Sequence, residues 1–398
     1  MSRRAALAAR PFALVLSLLF IVPGTASSVD SDSTAPLEIF TPVPPSVFEG
    51  TDHLFHLAYE LHITNFATVN ETLDRFEIVG DDGKTLGDFS ASKLDSMLVH
   101  PGIDHDSTSK STFTPNGRSI IFVWLTLQSQ QKPPKRLSQR FYMSTSDSET
   151  GKPESDQIEL PPLSVSGVGP IVIAAPLRGS GWIAGNGPSN YSVHRRGSFP
   201  YYGRATNAER YAYDFIKIGT DGMAFKGNRD KNDSWLGFGA DVLAVAKGAI
   251  VAVQDGIPEN VPFSSERPVA ITPQTSGGNF VCEDIGGGLF ALYAHLEPDS
   301  IRVKVGDRVD SGHVLGLLGN TGNSTNAHLH FQVSTGIRIG EGEGIPTSFR
   351  NTHLVGTADL IRSVGFGVPP ATWKSGDADH QGTDEFLVPL QDAILSFE

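Results

Sequence analysis

The stretch Gly319-Asn320-Thr321-Gly322-Asn323-Ser324-Thr325-Asn326-Ala327-His328-Leu329-His330-Phe331 runs from a glycine-rich loop into what reads as a strand. Side chains alternate faces along a strand, so His328 and His330 share one side while Leu329, Phe331 and Val333 take the other. Imidazole is the commonest metal ligand, and two on one wall can share an ion. A His-x-His pair also occurs as plain decoration of a half-exposed strand, so the rest of the chain has to decide between the readings. The glycines before it permit positive φ and a sharp approach, which brings a strand end into a groove.

Outward from that stretch the chain reads as all-β. From about Leu37 to Pro162, strand-like segments alternate with turn signals. Leu57, Tyr59, Leu61 and Ile63 fall on one face of a strand, with Glu60, His62 and Thr64 on the other, and Ile120 to Leu127 is nearly continuously apolar. This predicts an N-terminal β-sandwich-like domain over 37–162. A Ser-, Pro- and Gly-rich boundary leads to a second domain over 168–365, with short runs at Ile171–Ala174, Tyr211–Ile218, Val242–Val253, Phe290–His295, Ile301–Val305 and Val314–Leu318. Many short strands with glycine corners predict a barrel or a tightly curved antiparallel sheet rather than an open parallel one. Residues 366–398, polar through Ser375-Gly376-Asp377 and closing after Phe386-Leu387-Val388, read as a C-terminal extension of low informational value.

The front end carries an address. Three arginines in Ser2–Arg10, the apolar run Pro11–Val22 and the small residues Gly24, Thr25 and Ala26 read as a signal peptide over 1–26. Ser2-Arg3-Arg4 leaves a twin-arginine route open. The apolar run is shorter than the roughly 20 residues needed to span a bilayer, so export to the periplasm or beyond is expected, without stable membrane insertion after cleavage. The single cysteine, Cys282, excludes an intramolecular disulfide and reads as a buried small hydrophobe. A formal net charge of -13 with no basic stripe excludes nucleic acid as a partner. Nothing in the sequence specifies an oligomeric state.

Three further residues bear on the His-x-His pair. Tyr211-Ala212-Tyr213-Asp214-Phe215-Ile216 places an acid in mid-strand, which is unfavourable without a partner. His194 lies in a loop-like segment, and Leu292-Tyr293-Ala294-His295-Leu296 turns His295 away from the face of Leu292, Ala294 and Leu296. Each has an ordinary explanation on its own: an aspartate bonded to a loop amide, or a surface histidine.

Together these residues resemble the lysostaphin-type (LytM-like) zinc metallopeptidases, in the order histidine, aspartate, Tyr-x-His-Leu and Gly-Asn-x-Gly-x-Ser-Thr-x-x-His-x-His. The resemblance extends through Val242–Val251, Val305-Gly306-Asp307-Arg308-Val309 and Gly316–Gly322, covering about 170–349. One departure stands out: compact members space the first histidine and the aspartate a few residues apart, whereas Arg195 to Tyr213 intervene here. The resemblance implies a LytM-type (duplicated-hybrid-motif) sheet and one zinc ion held by His194, Asp214 and His330 with a coordination place left over. His295 and His328 are then the catalytic pair, one taking a proton and the other donating to the oxyanion or leaving amine. Which does which stays open. The implied substrate is the peptide part of bacterial cell-wall peptidoglycan, met in an open groove that Tyr191, Tyr201, Tyr202 and Trp235 are expected to line.

Two alternatives compete. A catalytically silent module of the same fold would bind or activate a cell-wall hydrolase, although all five polar positions are present here. A biotinyl- or lipoyl-carrier domain would need an attachment lysine, and Lys247 lacks the flanking pattern. His53, His56, the turn His100–Asp106, His62, His313, His353 and His380 read as surface or satisfied residues without a metal template.

Overall fold

In the strand Leu329–Ser334, Leu329, Phe331 and Val333 enter the hydrophobic core while His330, Gln332 and Ser334 hydrogen-bond along the other face, as the alternation requires. The computed structural model describes residues 36–90, 92–102, 110–129, 131–146, 152–167, 169–358, 374–375 and 386–398. The segment read as a signal peptide and His380 lie outside the described residues. Among the described residues no helix is long and apolar enough to cross a membrane.

Leu329–Ser334 sits near the middle of a ten-stranded sheet whose order is Arg308–Val309, Gly248–Gln254, Asn279–Gly286, Leu289–Leu296, Leu329–Ser334, Tyr213–Lys217, Gly179–Gly185, Ala393–Phe397, Thr352–Thr357 and Lys374–Ser375. All its described pairings are antiparallel. Beneath the central strands Tyr213 stacks on Phe215 at 5.2 Å and Phe331 meets Tyr293 at 5.3 Å, with Phe349 and Phe397 closing the floor. Removing one such ring from a core costs about 3–5 kcal/mol, so the side chains on the opposite face stand on a stiff base.

The expected run Val242–Val253 is split into Asp241–Leu243 and Gly248–Gln254. At the start of the second piece a Cβ on Gly248 would lie 2.4 Å from the carbonyl oxygen of Asp284, an approach that only glycine permits. Ile301–Val305 is not a strand. The tail beyond 366 does more than extend the chain, because Ala393–Phe397 lies between Gly179–Gly185 and Thr352–Thr357 and completes that edge of the sheet.

The N-terminal strands form two five-stranded sheets. One runs Leu37–Phe40, Phe55–Asn65, Arg118–Thr126, Leu98–Val99, with Ser46–Glu49 also on Phe55–Asn65; the other runs Pro153–Ser164, Arg136–Ser146, Glu71–Gly80, Thr85–Ser90, with Thr112–Phe113 on Glu71–Gly80. Leu57, Tyr59, Leu61, Ile63 and Val123 of the first share a core with Phe76, Ile78 and Phe141 of the second. The polar face of Phe55–Asn65 is a surprise, since Glu60 and His62 are buried as well. They are covered by the second half of the chain, with which the sandwich forms one compact unit spanning Ala35–Glu398. Phe48 and Ala58 of the sandwich, Tyr211, and Val388 of the tail pack together at this junction.

Candidate metal centre and cleft

Antiparallel neighbours point directly opposed residues to one side of the sheet. Asp214 is opposite His330 in the pairing of Tyr213–Lys217 with Leu329–Ser334, and Ala294 is opposite His330 on its other flank. Ala294 therefore takes the histidine face and Tyr293 the core, the reverse of the expected alternation; His295 joins the cluster because its left-handed backbone breaks the alternation at the strand end. Tyr213 and Phe215 fill the core, which leaves Asp214 on the histidine face. His194 arrives from outside the sheet on the short helix Val193–Arg196.

The ligand atoms of His194, Asp214 and His330 lie within 4.8 Å of one another. His194 Nε2 is 3.5 Å from Asp214 Oδ2, and His330 Nδ1 is 3.1 Å from Asp214 Oδ1. The far nitrogen of each ring is taken: His194 Nδ1 donates to the Asn186 carbonyl at 3.1 Å, and His330 Nε2 donates to Gln332 Oε1 at 2.9 Å. Each bond selects the nitrogen that faces the centre, as outer partners of metal-bound histidines do. Asn186 Nδ2 also donates to Asp214 Oδ2 at 2.7 Å. Neither Asn186 nor Gln332 was singled out from the sequence, and the only available signal for Gln332 is its place two residues after His330 on one strand face.

His295 and His328 stand beside this trio, their rings 4.8 Å apart. His295 Nδ1 donates to the Thr321 carbonyl at 2.8 Å and His328 Nδ1 to the Asn326 carbonyl at 2.8 Å, so in both rings Nε2 is turned away from the loop. His328 Nε2 approaches Asp214 Oδ1 at 3.3 Å. His295 sits at φ 65°, a left-handed conformation that a non-glycine residue adopts at a cost, and such strain concentrates at functional positions.

Electrostatically the cluster behaves as one acid among imidazoles. Burial pushes the Asp214 carboxyl up, but His194, His328 and His330 outweigh it and hold the group well below the ordinary carboxylate range. Burial likewise pushes His330 down, and the Asp214 hydrogen bond and charge, with Glu209 and Gln332, raise it to about 9. Burial, with His328 and His330 adding to it, drives His295 well below its usual value.

The centre opens on a cleft of about 740 Å³ lined by Phe199, Tyr201, Glu209, Ile271, Thr325 and Ile339 among others. Of the four aromatics expected there, Tyr201 lines it. Tyr191 and Tyr202 are exposed outside the lining, and Trp235 is 2% exposed, donating through Nε1 to the Arg229 carbonyl and packing on Phe225. Of the other described histidines, His56 is bonded to Thr126 and Asp52, His62 to Arg118, His100 to Ser119 and His353 to Glu398, while His53 and His313 are exposed.

Residues 236–341 match the model of "Peptidase family M23", a segment that holds His295, His328 and His330 but stops short of His194 and Asp214. Glycyl-glycine endopeptidase ALE-1 of Staphylococcus capitis is 30% identical over 158 residues, 39% of this chain and 34% of that protein. Endolysin 2638A of Staphylococcus phage 2638A is 40% identical over 60 residues, 14% of this chain and 12% of that protein. The chain thus spans about a third or less of the length of these relatives. The catalytic domain of a prophage-encoded M23 protein, EnpA, from Enterococcus faecalis is 21% identical, with 43% of this chain and 92% of that chain covered and a TM-score of 0.26. The segment 236–341 is accordingly a peptidase family M23 domain, and the lysostaphin-type (LytM-like) resemblance read from the motifs holds for this chain.

Proposed function

We propose that this chain is an exported, zinc-dependent endopeptidase that hydrolyses peptide bonds in bacterial cell-wall peptidoglycan. The observation that carries the reading is the convergence of His194, Asp214 and His330 within 4.8 Å, at the floor of an open cleft. The donor set fits zinc: two imidazoles with their outer nitrogens pinned and one carboxylate held ionised, which leaves a bound dication a net positive charge. Zinc held there supplies Lewis-acid polarisation of a carbonyl and acidifies water toward neutral pH.

The protein's own groups do the rest. Gln332 and Asn186 hold the two ligand rings in their tautomers, and Asn186 also fixes Asp214. His295 and His328, with Nδ1 anchored on carbonyls, each present Nε2 to accept a proton or to donate one to an oxyanion or leaving amine. Phe199, Tyr201, Ile271 and Ile339 give the cleft apolar walls suited to an extended peptide laid across the centre. Relatives named a glycyl-glycine endopeptidase and an endolysin support a peptide bond of the cell wall as the target, and the N-terminal arginines and apolar run support export.

The test uses purified sacculi with the mature chain and with His330→Ala, each with and without a chelator. Release of muropeptides by the wild type, its loss on chelation, its return with zinc and its absence in His330→Ala are the expected results. A wild-type chain that holds zinc stoichiometrically and releases nothing overturns the reading.

A further inference from the structure

His194 rides on a helix of four residues, Val193–Arg196, whose Ser192 makes no side-chain cap to the helix, its Oγ donating instead to the Asn186 carbonyl at 2.5 Å. A single turn has no stability of its own, so something outside it must set the ligand's position. The next residue, Arg195, is completely buried. Its Nη2 donates to the carbonyls of Tyr59 at 2.9 Å and Val123 at 3.1 Å, its Nη1 pairs with Glu60 Oε1, and its guanidinium lies 5.2 Å from the Phe122 ring. All four partners belong to the N-terminal sandwich. Arg196 reaches the same sandwich, lying 4.9 Å from Phe122 and donating to the Ser96 carbonyl at 2.7 Å.

Glu60 has a second arginine. Arg210 Nη2 donates to Glu60 Oε2 at 2.6 Å and to Glu343 Oε2 at 2.7 Å, and Arg210 Nη1 reaches the Gly344 carbonyl at 3.4 Å. Glu343 follows Ile339 and Gly340, which line the cleft. Arg195, Arg196 and Arg210 all lie in the segment that separates His194 from Asp214, the one feature that departs from the compact spacing.

We propose that Glu60, acting through Arg195, is a positioning residue for the metal centre: the N-terminal sandwich holds the His194 helix in its ligating pose, so metal affinity depends on a side chain of the other domain. The inference rests on the metallopeptidase reading above. Arg195 suits the role because its guanidinium gives two sandwich carbonyls a shared donor at Nη2 while Nη1 sets its charge against Glu60, a planar arrangement that a lysine cannot reproduce. The inserted segment thereby has a use: it carries the arginines that clamp the first ligand to the sandwich and the cleft wall to the same glutamate.

The experiment measures zinc affinity of the full-length mature chain by competition with a chromogenic chelator, and the visible absorption of the cobalt-substituted protein as a report on ligand geometry. Glu60→Gln and Arg195→Lys are expected to weaken zinc binding by about 10–100-fold, the range found when partners behind a ligand are removed, and to change the cobalt spectrum. Glu60→Asp should recover part of the loss, and Arg140→Met, a surface change in the sandwich, should bind as wild type. A folded Glu60→Gln protein with wild-type affinity and spectrum overturns the proposal.

Because coupling is reciprocal, the wild type alone also decides it if the variants do not fold. Zinc must then slow amide exchange in Val193–Gly197 and in Phe55–Asn65, and unchanged exchange overturns the proposal. The two readings fail separately. A wild type that takes up no zinc sinks the metal centre itself, whereas zinc lost in His330→Ala but kept at full affinity in folded Glu60→Gln and Arg195→Lys sinks only the role of the sandwich.

Discussion

Two buried polar clusters differ in how their charges are settled. At the junction of sandwich and sheet, Arg195 and Arg210 face Glu60 and Glu343, acids and guanidiniums already paired within the protein. At the cleft, Asp214 faces His194, His328 and His330, groups whose lone pairs or protons point at one another. A guanidinium has no lone pair to offer, so the first cluster is chemically closed. An imidazole can exchange its proton for a metal ion, so the second is open to one. Both clusters are buried; the lone pairs separate a clamp from a candidate site.

The harshest challenge to that distinction comes from the two histidines assigned to proton transfer. His295→Gln and His328→Gln should each lower the turnover of cell-wall peptide by about 10²–10⁴-fold while stoichiometric zinc is retained, measured by muropeptide release beside metal analysis. Zinc lost together with activity would place that residue among the ligands and break the division between the trio and the pair.

A smaller effect is expected behind the ligands. Gln332 accepts the Nε2 proton of His330, which turns Nδ1 toward Asp214. Gln332→Leu deletes that acceptor with little change in volume, so the ring loses its anchor and zinc affinity should fall by about 10–100-fold. Gln332→Glu keeps an acceptor and adds basicity to the ring, and should hold zinc at least as tightly as the wild type in the same chelator competition. Equal affinity in the leucine variant would mean that the sheet pairing alone orients His330.

These contrasts also explain what was legible beforehand. His328, His330 and Asp214 were readable because strand alternation fixes a side chain's face from sequence alone, and the Tyr213, Phe215, Leu329 and Phe331 partners mark the buried side. His194 was readable only through resemblance, since its four-residue helix has no periodicity to detect. The Arg195–Glu60 clamp was beyond reach. Glu60 looked like the solvated face of an amphipathic strand, and only the docking of a second body, 150 residues along the chain at Arg210, buries it. Trp235 misled for the same reason: a loop aromatic reads as exposed until Phe225 and Phe263 are seen to cover it. The tail strand Ala393–Phe397 is short and apolar, and its long-range partners Gly179–Gly185 and Thr352–Thr357 leave no local signature.

A half-buried acid supplies the mildest and sharpest comparison. Glu259 has neither the imidazoles of Asp214 nor the arginines of Glu60. Its Oε2 accepts the Asn320 backbone N–H at 2.7 Å, and its Oε1 has no hydrogen-bond partner among the described residues. Burial therefore raises its carboxyl to about 8, against the Asn320 bond and with help from Glu297. The folded state then binds a proton that the unfolded chain, titrating near 4.5, has released. Stability from this group is complete below about 4.5 and is lost as pH rises through about 8, the reverse of the trend for a depressed carboxyl such as Asp214. Glu259→Gln keeps the acceptor and removes the titration. It should unfold at the same denaturant concentration as the wild type near pH 4 and be more stable by roughly 1–3 kcal/mol near pH 9. Parallel pH profiles for the two proteins would mean that Glu259 titrates alike folded and unfolded, its bonds from the Asn320 N–H and Asn232 Nδ2 then offsetting the cost of burial.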